Sequence, residues 1–141
     1  MTSVNPKPQL KRQTETFIRV RYKETDAQGR VHHANYINYF EIGRVEMLRE
    51  SGFTYRELED TGIMLVVTEL DCKYHQAAMY DDQLRVVTTV IRAKGVRVHQ
   101  EYHIYCGETL VAEGSSIVAC VNRNGEVTRL PKWLTVLPSD G

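Results

Sequence analysis

Residues 22–50 read YKETDAQGRVHHANYINYFEIGRVEMLRE, and they are the most informative part of the sequence. A short polar turn that contains Asp26 precedes two adjacent histidines, and an amphipathic segment follows them. Asn35 is the predicted N-cap of a helix that runs to about Ser51, and Gly52 is placed to end it. The stretch therefore predicts one long helix whose first turn lies beside ionisable side chains.

One face of the predicted helix is apolar, as expected for a helix that packs on a sheet. The apolar stripe consists of Tyr36, Phe40, Gly43 and Met47, with Tyr39 beside it. The charged residues that fall mostly on the other faces are Glu41, Arg44, Arg49 and Glu50. A glycine inside a helix costs roughly 1 kcal/mol relative to alanine. Its place on the buried stripe therefore predicts a close approach between helix and sheet.

Beyond about Gly62 the apolar residues recur at every second position, which is typical of half-buried strands. Together with an earlier alternating segment, the predicted strands cover residues 17–22, 64–74, 84–91, 96–104 and 110–121. Short turns join the later strands, so neighbouring strands are antiparallel. One long helix and about five antiparallel strands predict an α+β domain in which the sheet wraps the helix.

The chain of 141 residues is long enough for one domain with a sizeable core. We assign residues 16–135 to that single domain. The polar residues 1–15, which include Pro6 and Pro8, are predicted to form a flexible N-terminal tail. Residues 136–141 are predicted to form a C-terminal tail.

Composition excludes several classes of function. Lysine plus arginine and aspartate plus glutamate both number 18, so no excess of positive charge indicates a nucleic-acid partner. Apolar runs are too short for membrane insertion, and the N-terminus lacks the apolar core of a signal peptide. The three cysteines, Cys72, Cys106 and Cys120, form no C-x-x-C pair and are expected to be free thiols in a reducing compartment. We therefore expect a cytoplasmic protein.

Asp26 is the first candidate for chemistry. An aspartate three residues before a glycine is ordinary turn chemistry, in which the carboxylate accepts backbone N–H groups. The same carboxylate could instead face a cleft at the helix start and act as a general base or as a nucleophile. The residues alone leave both interpretations open.

His32 and His33 form the second candidate. Adjacent side chains point in different directions unless the backbone is sharply bent, so the two histidines are not expected to ligate one metal ion. One of them could position water or a substrate carbonyl, or it could be a surface or capping residue. Free N–H groups at the helix start could stabilise developing negative charge, as an oxyanion hole does.

Other chemistry finds less support in the sequence. His99 and His103 would share a strand face about 13 Å apart, too far for one ion, so no metal site is expected. The sequence has no nucleophile elbow, dinucleotide fingerprint or Walker loop. Arg92, Lys94 and Arg97 could bind phosphates, or they could be solvated residues at the sheet edge. Two helical carboxylates, Glu41 and Glu46, could assist catalysis or form surface pairs.

The run TDAQGRVHHANY, followed by FEIGRVEMLRESG, resembles the signature of hotdog-fold acyl-CoA thioesterases. It is most similar to the 4-hydroxybenzoyl-CoA thioesterase family, particularly its branch of Tol-Pal-associated acyl-CoA thioesterases. The similarity extends over about residues 17–133. The aspartate, the glycine, the His-x-Asn and the Glu-x-x-Arg arrive in the family's order and spacing.

The resemblance implies hydrolysis of an acyl-CoA to a carboxylic acid and CoA. It matches Asp26 to the catalytic aspartate, His33 to an assisting histidine and Tyr22 to an active-site tyrosine. The His33 N–H would polarise the thioester carbonyl. Arg30 and His32 depart from the commonest pattern, which leaves the acyl preference open.

The resemblance also implies a homodimer with sites at its interface, which often forms a homotetramer. It implies no separate cofactor, since CoA is part of the substrate, and acyl carrier protein is a possible partner. A non-catalytic module that binds acyl-CoA or acyl carrier protein is the alternative function. Hydration of an enoyl thioester would need a different local motif, which the sequence lacks.

Overall fold

The computed structural model describes residues 8–136. Five antiparallel strands form one sheet in the order β1-β3-β4-β5-β2. The strands are β1 (Gln13–Arg19), β2 (Ile63–Tyr74), β3 (Gln83–Lys94), β4 (Arg97–Cys106) and β5 (Thr109–Asn122). The long helix is α1 (His33–Glu50), and a short helix α2 (Tyr55–Asp60) follows it. The predicted α+β architecture is confirmed.

Helix α1 packs on one face of the sheet, and its predicted apolar stripe is buried. The stripe and its neighbour, Tyr36, Tyr39, Phe40, Gly43 and Met47, all lie in the interior. A Cβ atom on Gly43 would lie only 2.5 Å from Thr88 Oγ1 and 3.1 Å from Val86 Cγ1. The close approach that the glycine predicts is therefore confirmed, because a Cβ atom at this position would collide with side chains of β3.

Arg44 corrects the predicted helix face. The sequence predicts Arg44 on a face other than the apolar stripe, but the residue is only 8% exposed, and its Nη1 donates to the Tyr102 hydroxyl at 3.3 Å. Polar residues of β4 and β5, Gln100 and Ser116, are buried in the same region. The arginine therefore lies against a polar part of the core, which no pattern within α1 indicates.

The ends of the domain also differ from the prediction. Strand β1 begins at Gln13, where the sequence predicted a tail through residue 15 and a strand over residues 17–22. Leu10 is buried, and its N–H donates to the Trp133 carbonyl at 2.8 Å. Val136, assigned to the C-terminal tail, pairs with Ala93 of β3. Both segments are therefore held in place by contacts with residues far away in the sequence. The remaining tail residues, 1–7 and 137–141, lie outside the described residues.

Strand β2 forms one edge of the sheet, with β5 as its only neighbouring strand among the residues described. Several large apolar side chains along this strand stay exposed to between 38% and 48%: Val66, Val67, Leu70 and Tyr74. An exposed apolar edge strand is a ready surface for association with another chain. The C-terminal end of β2 also reaches the start of α1, where the candidate site lies.

Candidate active site

A cleft of about 460 Å³ opens where three segments of the chain meet. The turn that precedes α1, the first turn of α1 and the end of β2 with its following loop all contribute to it. Its lining residues are Asp26, Arg30, Val31, His33, Tyr36, Tyr74, His75, Gln76 and Ala77. The structure thus brings Asp26 and His33, two of the predicted site residues, to one cavity.

Asp26 both organises its turn and faces the cleft. Its Oδ1 accepts from the N–H groups of Gln28, at 2.8 Å, and Arg30, at 3.3 Å. Its own N–H donates to the Arg30 carbonyl at 2.7 Å, and Gly29 supplies the positive φ of +80° that the turn requires. No hydrogen bond to Oδ2 is present within residues 8–136. The turn therefore fixes one carboxylate oxygen and leaves the other open to solvent or substrate.

The N-cap of α1 is His32, not Asn35 as the sequence predicted. His32 is extended, with φ −62° and ψ 138°, and its Nδ1 accepts from Ala34 N–H at 3.1 Å. Its carbonyl accepts from Asn35 N–H at 2.9 Å. The Asn35 side chain donates instead to the Glu24 carbonyl at 2.8 Å, so it ties the helix to the preceding turn.

The His33 N–H remains without an acceptor in the described part of the chain. It belongs to the first helical residue, whose N–H has no partner within the helix. His33 itself lines the cleft beside Asp26. A free N–H at the positive end of a helix dipole and a carboxylate therefore border the same cavity, which is the pairing that acyl transfer requires.

The two histidine rings stack, with centroids 4.2 Å apart and planes 28° from parallel. The two side chains lie together because the chain bends from extended backbone at His32 into helix at His33, which is the exception that the sequence analysis allowed. Among the described residues, no group of three or more histidine, cysteine, aspartate or glutamate side chains could hold a metal ion.

Tyr22 lies apart from the other two predicted residues. It is 77% exposed, its ring packs edge-on against Tyr80 with centroids 5.7 Å apart, and it is not part of the cleft lining. Two other tyrosines occupy the cleft instead. Tyr74 donates its hydroxyl to the His33 carbonyl at 3.0 Å, and the Tyr36 hydroxyl accepts from Ala78 N–H at 3.2 Å. The sequence predicts Tyr36 on the buried stripe of α1 and Tyr74 at the end of a strand, and both positions are confirmed. Neither pattern indicates that the two side chains line one cleft.

Glu24 is a buried carboxylate that sequence reasoning missed. Its Oε1 accepts from Arg21 N–H at 2.8 Å and from the Tyr39 hydroxyl at 3.1 Å. Its Oε2 accepts from the Arg21 guanidinium at 3.0 and 3.3 Å. Burial by itself raises the pKa of Glu24, but these donors outweigh it and hold the pKa below the usual value. The i,i+3 spacing of Arg21 and Glu24 was the only local signal for this pair.

The backbone at Glu24 links the turn that contains Asp26 to the helix. Its carbonyl accepts from His32 N–H at 2.9 Å as well as from the Asn35 side chain. Burial, and then the charge of Glu24, raise the pKa of Tyr39, so this hydroxyl stays a donor to the carboxylate. Glu24 therefore anchors Asp26 against the first turn of α1 from inside the domain.

A second cleft, of about 310 Å³, lies at the β3–β4 hairpin. It is lined by Arg92, Lys94, Arg97, His99 and Ile117. The tertiary structure thus gathers the three basic residues that the sequence singled out as phosphate ligands or solvated edge residues. No helix in the part of the chain that the structure describes is long and apolar enough to cross a membrane.

The profile of the Thioesterase-like superfamily matches residues 20–136. Acyl-CoA thioesterase YbgC of Haemophilus influenzae is 38% identical over 74% of this chain and 78% of its own length. Acyl-CoA thioester hydrolase YbgC of Escherichia coli O6:H1 is 34% identical over 74% of this chain and 79% of its own length. The structure of a DHNA-CoA thioesterase from Staphylococcus aureus superposes with a TM-score of 0.80 at 31% identity, over 84% of this chain and 80% of that one.

The family match covers strands β2 to β5 and the helix start that builds the cleft. They agree with the hotdog fold and the thioesterase family that the signature before α1 indicated. The chain therefore belongs to the Thioesterase-like superfamily, has its hotdog fold and is a thioester hydrolase.

Proposed function

We propose that this protein hydrolyses acyl-CoA thioesters to a free carboxylic acid and CoA, with Asp26 as the catalytic carboxylate. One observation carries the proposal: the free oxygen of Asp26 and the free N–H of His33 border a single open cleft. A carboxylate supplies a base or nucleophile, and the N–H supplies a donor for the oxyanion. Relatives named acyl-CoA thioesterases support the same substrate class.

In the general-base route, Asp26 takes a proton from water as the water oxygen attacks the thioester carbonyl carbon. The carbonyl oxygen becomes an oxyanion that accepts a hydrogen bond from His33 N–H. The C–S bond then breaks, and the proton passes to the CoA sulfur. In the nucleophilic route, an Asp26 oxygen attacks the same carbon and expels the CoA thiolate. Water then hydrolyses the resulting anhydride, and both routes need the same carboxylate.

The remaining site residues have supporting roles in the proposal. The His33 imidazole, at the cleft wall, would orient substrate or water. Tyr74 would hold the first turn of α1 through its bond to the His33 carbonyl. Tyr22 lies outside the cleft of one chain, so it would contribute only where the substrate extends beyond that cleft or meets a second subunit.

The active assembly is proposed to be a homodimer or a homotetramer. The exposed apolar side chains of β2 support this, because burying them against a second copy would remove the free edge of the sheet. Tyr74 ends that strand and lines the cleft, so a dimer through β2 would place each site near the interface. Light scattering tests this proposal, and a strict monomer in solution would contradict it.

The rest of the substrate is proposed to bind through local charge. Arg92, Lys94 and Arg97 would contact the CoA phosphates, since they form a cationic cleft in a chain of zero net charge.

CoA enters only as part of the substrate, and no cofactor is proposed. The three free thiols support a cytoplasmic location. An acyl carrier protein as donor and the Tol-Pal-associated branch both remain predictions.

The decisive experiment compares Asp26→Asn with Asp60→Asn, an exposed carboxylate at the end of α2. Released CoA is measured with a thiol-trapping reagent over a panel of acyl-CoAs. We expect Asp26→Asn to lose about 10²-fold or more in kcat while it stays folded, and the control to retain activity. Full activity in Asp26→Asn would refute the assignment. Binding of acyl-CoA by the wild type without CoA release would refute acyl-CoA as the substrate class.

A further inference from the structure

Arg30 lines the proposed active-site cleft and is exposed. Its guanidinium makes no hydrogen bond or ion pair with the described residues. The other groups of the cleft lining that can carry positive charge are the imidazoles of His33 and His75, which are charged only when protonated, and His75 lies 3.2 Å from a Glu113 oxygen. Arg30 is therefore the permanently charged cation of the cleft lining, and it has no ion-pair partner within residues 8–136.

The backbone holds Arg30 next to the proposed catalytic group. Its N–H donates to Asp26 Oδ1 at 3.3 Å, and its carbonyl accepts from Asp26 N–H at 2.7 Å. A β-bridge to Met79 fixes the other side of the turn. The guanidinium is therefore carried by a backbone position that is fixed beside the Asp26 carboxylate, within one arginine side-chain length of the proposed reaction centre.

The cleft around Arg30 is mostly polar. Val31 and Ala77 are its aliphatic lining residues, whereas the others carry a ring nitrogen, a hydroxyl, an amide or a charge. A purely aliphatic acyl chain would cover the guanidinium without pairing it, which is costly. A carboxylate in the acyl group would instead accept two parallel hydrogen bonds from it.

We propose that Arg30 is a specificity-determining residue that selects acyl groups bearing a carboxylate of their own, as in CoA monothioesters of dicarboxylic acids. The inference rests on the proposed function of the cleft. The CoA phosphates are the other source of anionic oxygens. The pantetheine arm separates them from the thioester, whereas Arg30 is hydrogen-bonded to Asp26 at the reacting end.

The test compares glutaryl-CoA with pentanoyl-CoA, whose acyl chains have equal numbers of carbons and differ in the terminal carboxylate. We expect the wild type to favour glutaryl-CoA by about 10-fold or more in kcat/KM. Arg30→Met should lose about 10- to 100-fold on glutaryl-CoA and little on pentanoyl-CoA, as expected when a charged hydrogen bond is removed. Arg30→Lys should keep part of the preference, and Arg129→Met, at an exposed site away from the cleft, should keep all of it.

Three outcomes would overturn the assignment. A wild type without preference for glutaryl-CoA removes its basis, and an unchanged preference in Arg30→Met shows that another residue selects the acyl group. An equal loss on both substrates that disappears with pantetheine thioesters, which lack the CoA phosphates, identifies Arg30 as a phosphate ligand. Calorimetric binding of both acyl-CoAs to Asp26→Asn, with and without Arg30→Met, gives the same comparison without turnover. Failure of catalysis is thereby distinguished from failure of acyl selection.

Discussion

Glu24→Gln tests whether a buried carboxylate holds the turn that contains Asp26 in place. The carboxylate accepts from Arg21 N–H and the Tyr39 hydroxyl at one oxygen and from the Arg21 guanidinium at the other. Glutamine has the same size but can accept at only one of these positions, and its NH₂ group would face a donor at the other. Removing hydrogen bonds to a charged group costs about 1.5–3 kcal/mol. Because the Arg21 side chain is 62% exposed, we expect a total loss of about 2–3 kcal/mol in the free energy of unfolding.

The pH dependence of this loss follows from the lowered pKa of Glu24. A carboxyl group whose pKa is lower in the folded state stabilises the fold above its unfolded pKa. That contribution disappears as the pH falls through the folded pKa, when the wild-type carboxyl also becomes neutral. The difference between wild type and Glu24→Gln should therefore be full at about pH 7 and should shrink below about pH 4. Urea unfolding followed by circular dichroism at both pH values measures it.

The matched control is Glu15→Gln, which breaks an exposed ion pair with Arg85. It should change the free energy of unfolding by less than about 0.5 kcal/mol. Glu24→Gln should also lower kcat by about 10-fold, because we expect a misplaced Asp26 to raise the activation free energy by about 1.4 kcal/mol. A Glu24→Gln protein as stable as wild type at neutral pH, or a difference that persists unchanged in acid, would refute this account.

Two further predictions concern the core. Gly114→Ala should lower the free energy of unfolding by about 3 kcal/mol, because its Cβ would collide with the Asp71 carbonyl oxygen and lie 2.6 Å from the Phe40 ring; urea unfolding that matches wild type would contradict this packing. Arg44→Met should leave that free energy unchanged or raise it by about 1–2 kcal/mol, because the buried Nε has no hydrogen-bond partner among the described residues and Nη1 donates to the Tyr102 hydroxyl at 3.3 Å. A loss above about 2 kcal/mol in the same assay would show that the buried charge is well compensated.

The helix and the strands of this fold could be predicted from the periodicity of apolar residues, because that periodicity depends only on residues that are near one another in the sequence. The apolar stripe of α1 and the alternation along β3, β4 and β5 follow from 3.6-residue and two-residue repeats. Gly43 even predicted where the helix approaches the sheet. The same local information misplaced the helix cap, because Asn35 is a better intrinsic cap than His32 but is used to bind Glu24.

The α+β architecture and the position of Asp26 next to the start of α1 were therefore predictable from local sequence patterns. Which other groups join them depends on contacts between residues that are far apart in the chain. The hydroxyl of Tyr74 reaches the His33 carbonyl across 41 positions of sequence, and Tyr39 reaches Glu24 across 15. Tyr22 precedes Asp26 by only four positions in the sequence, but it lies outside the cleft. Local patterns report which face of an element is buried, but strand order and helix packing decide which side chains share a cavity.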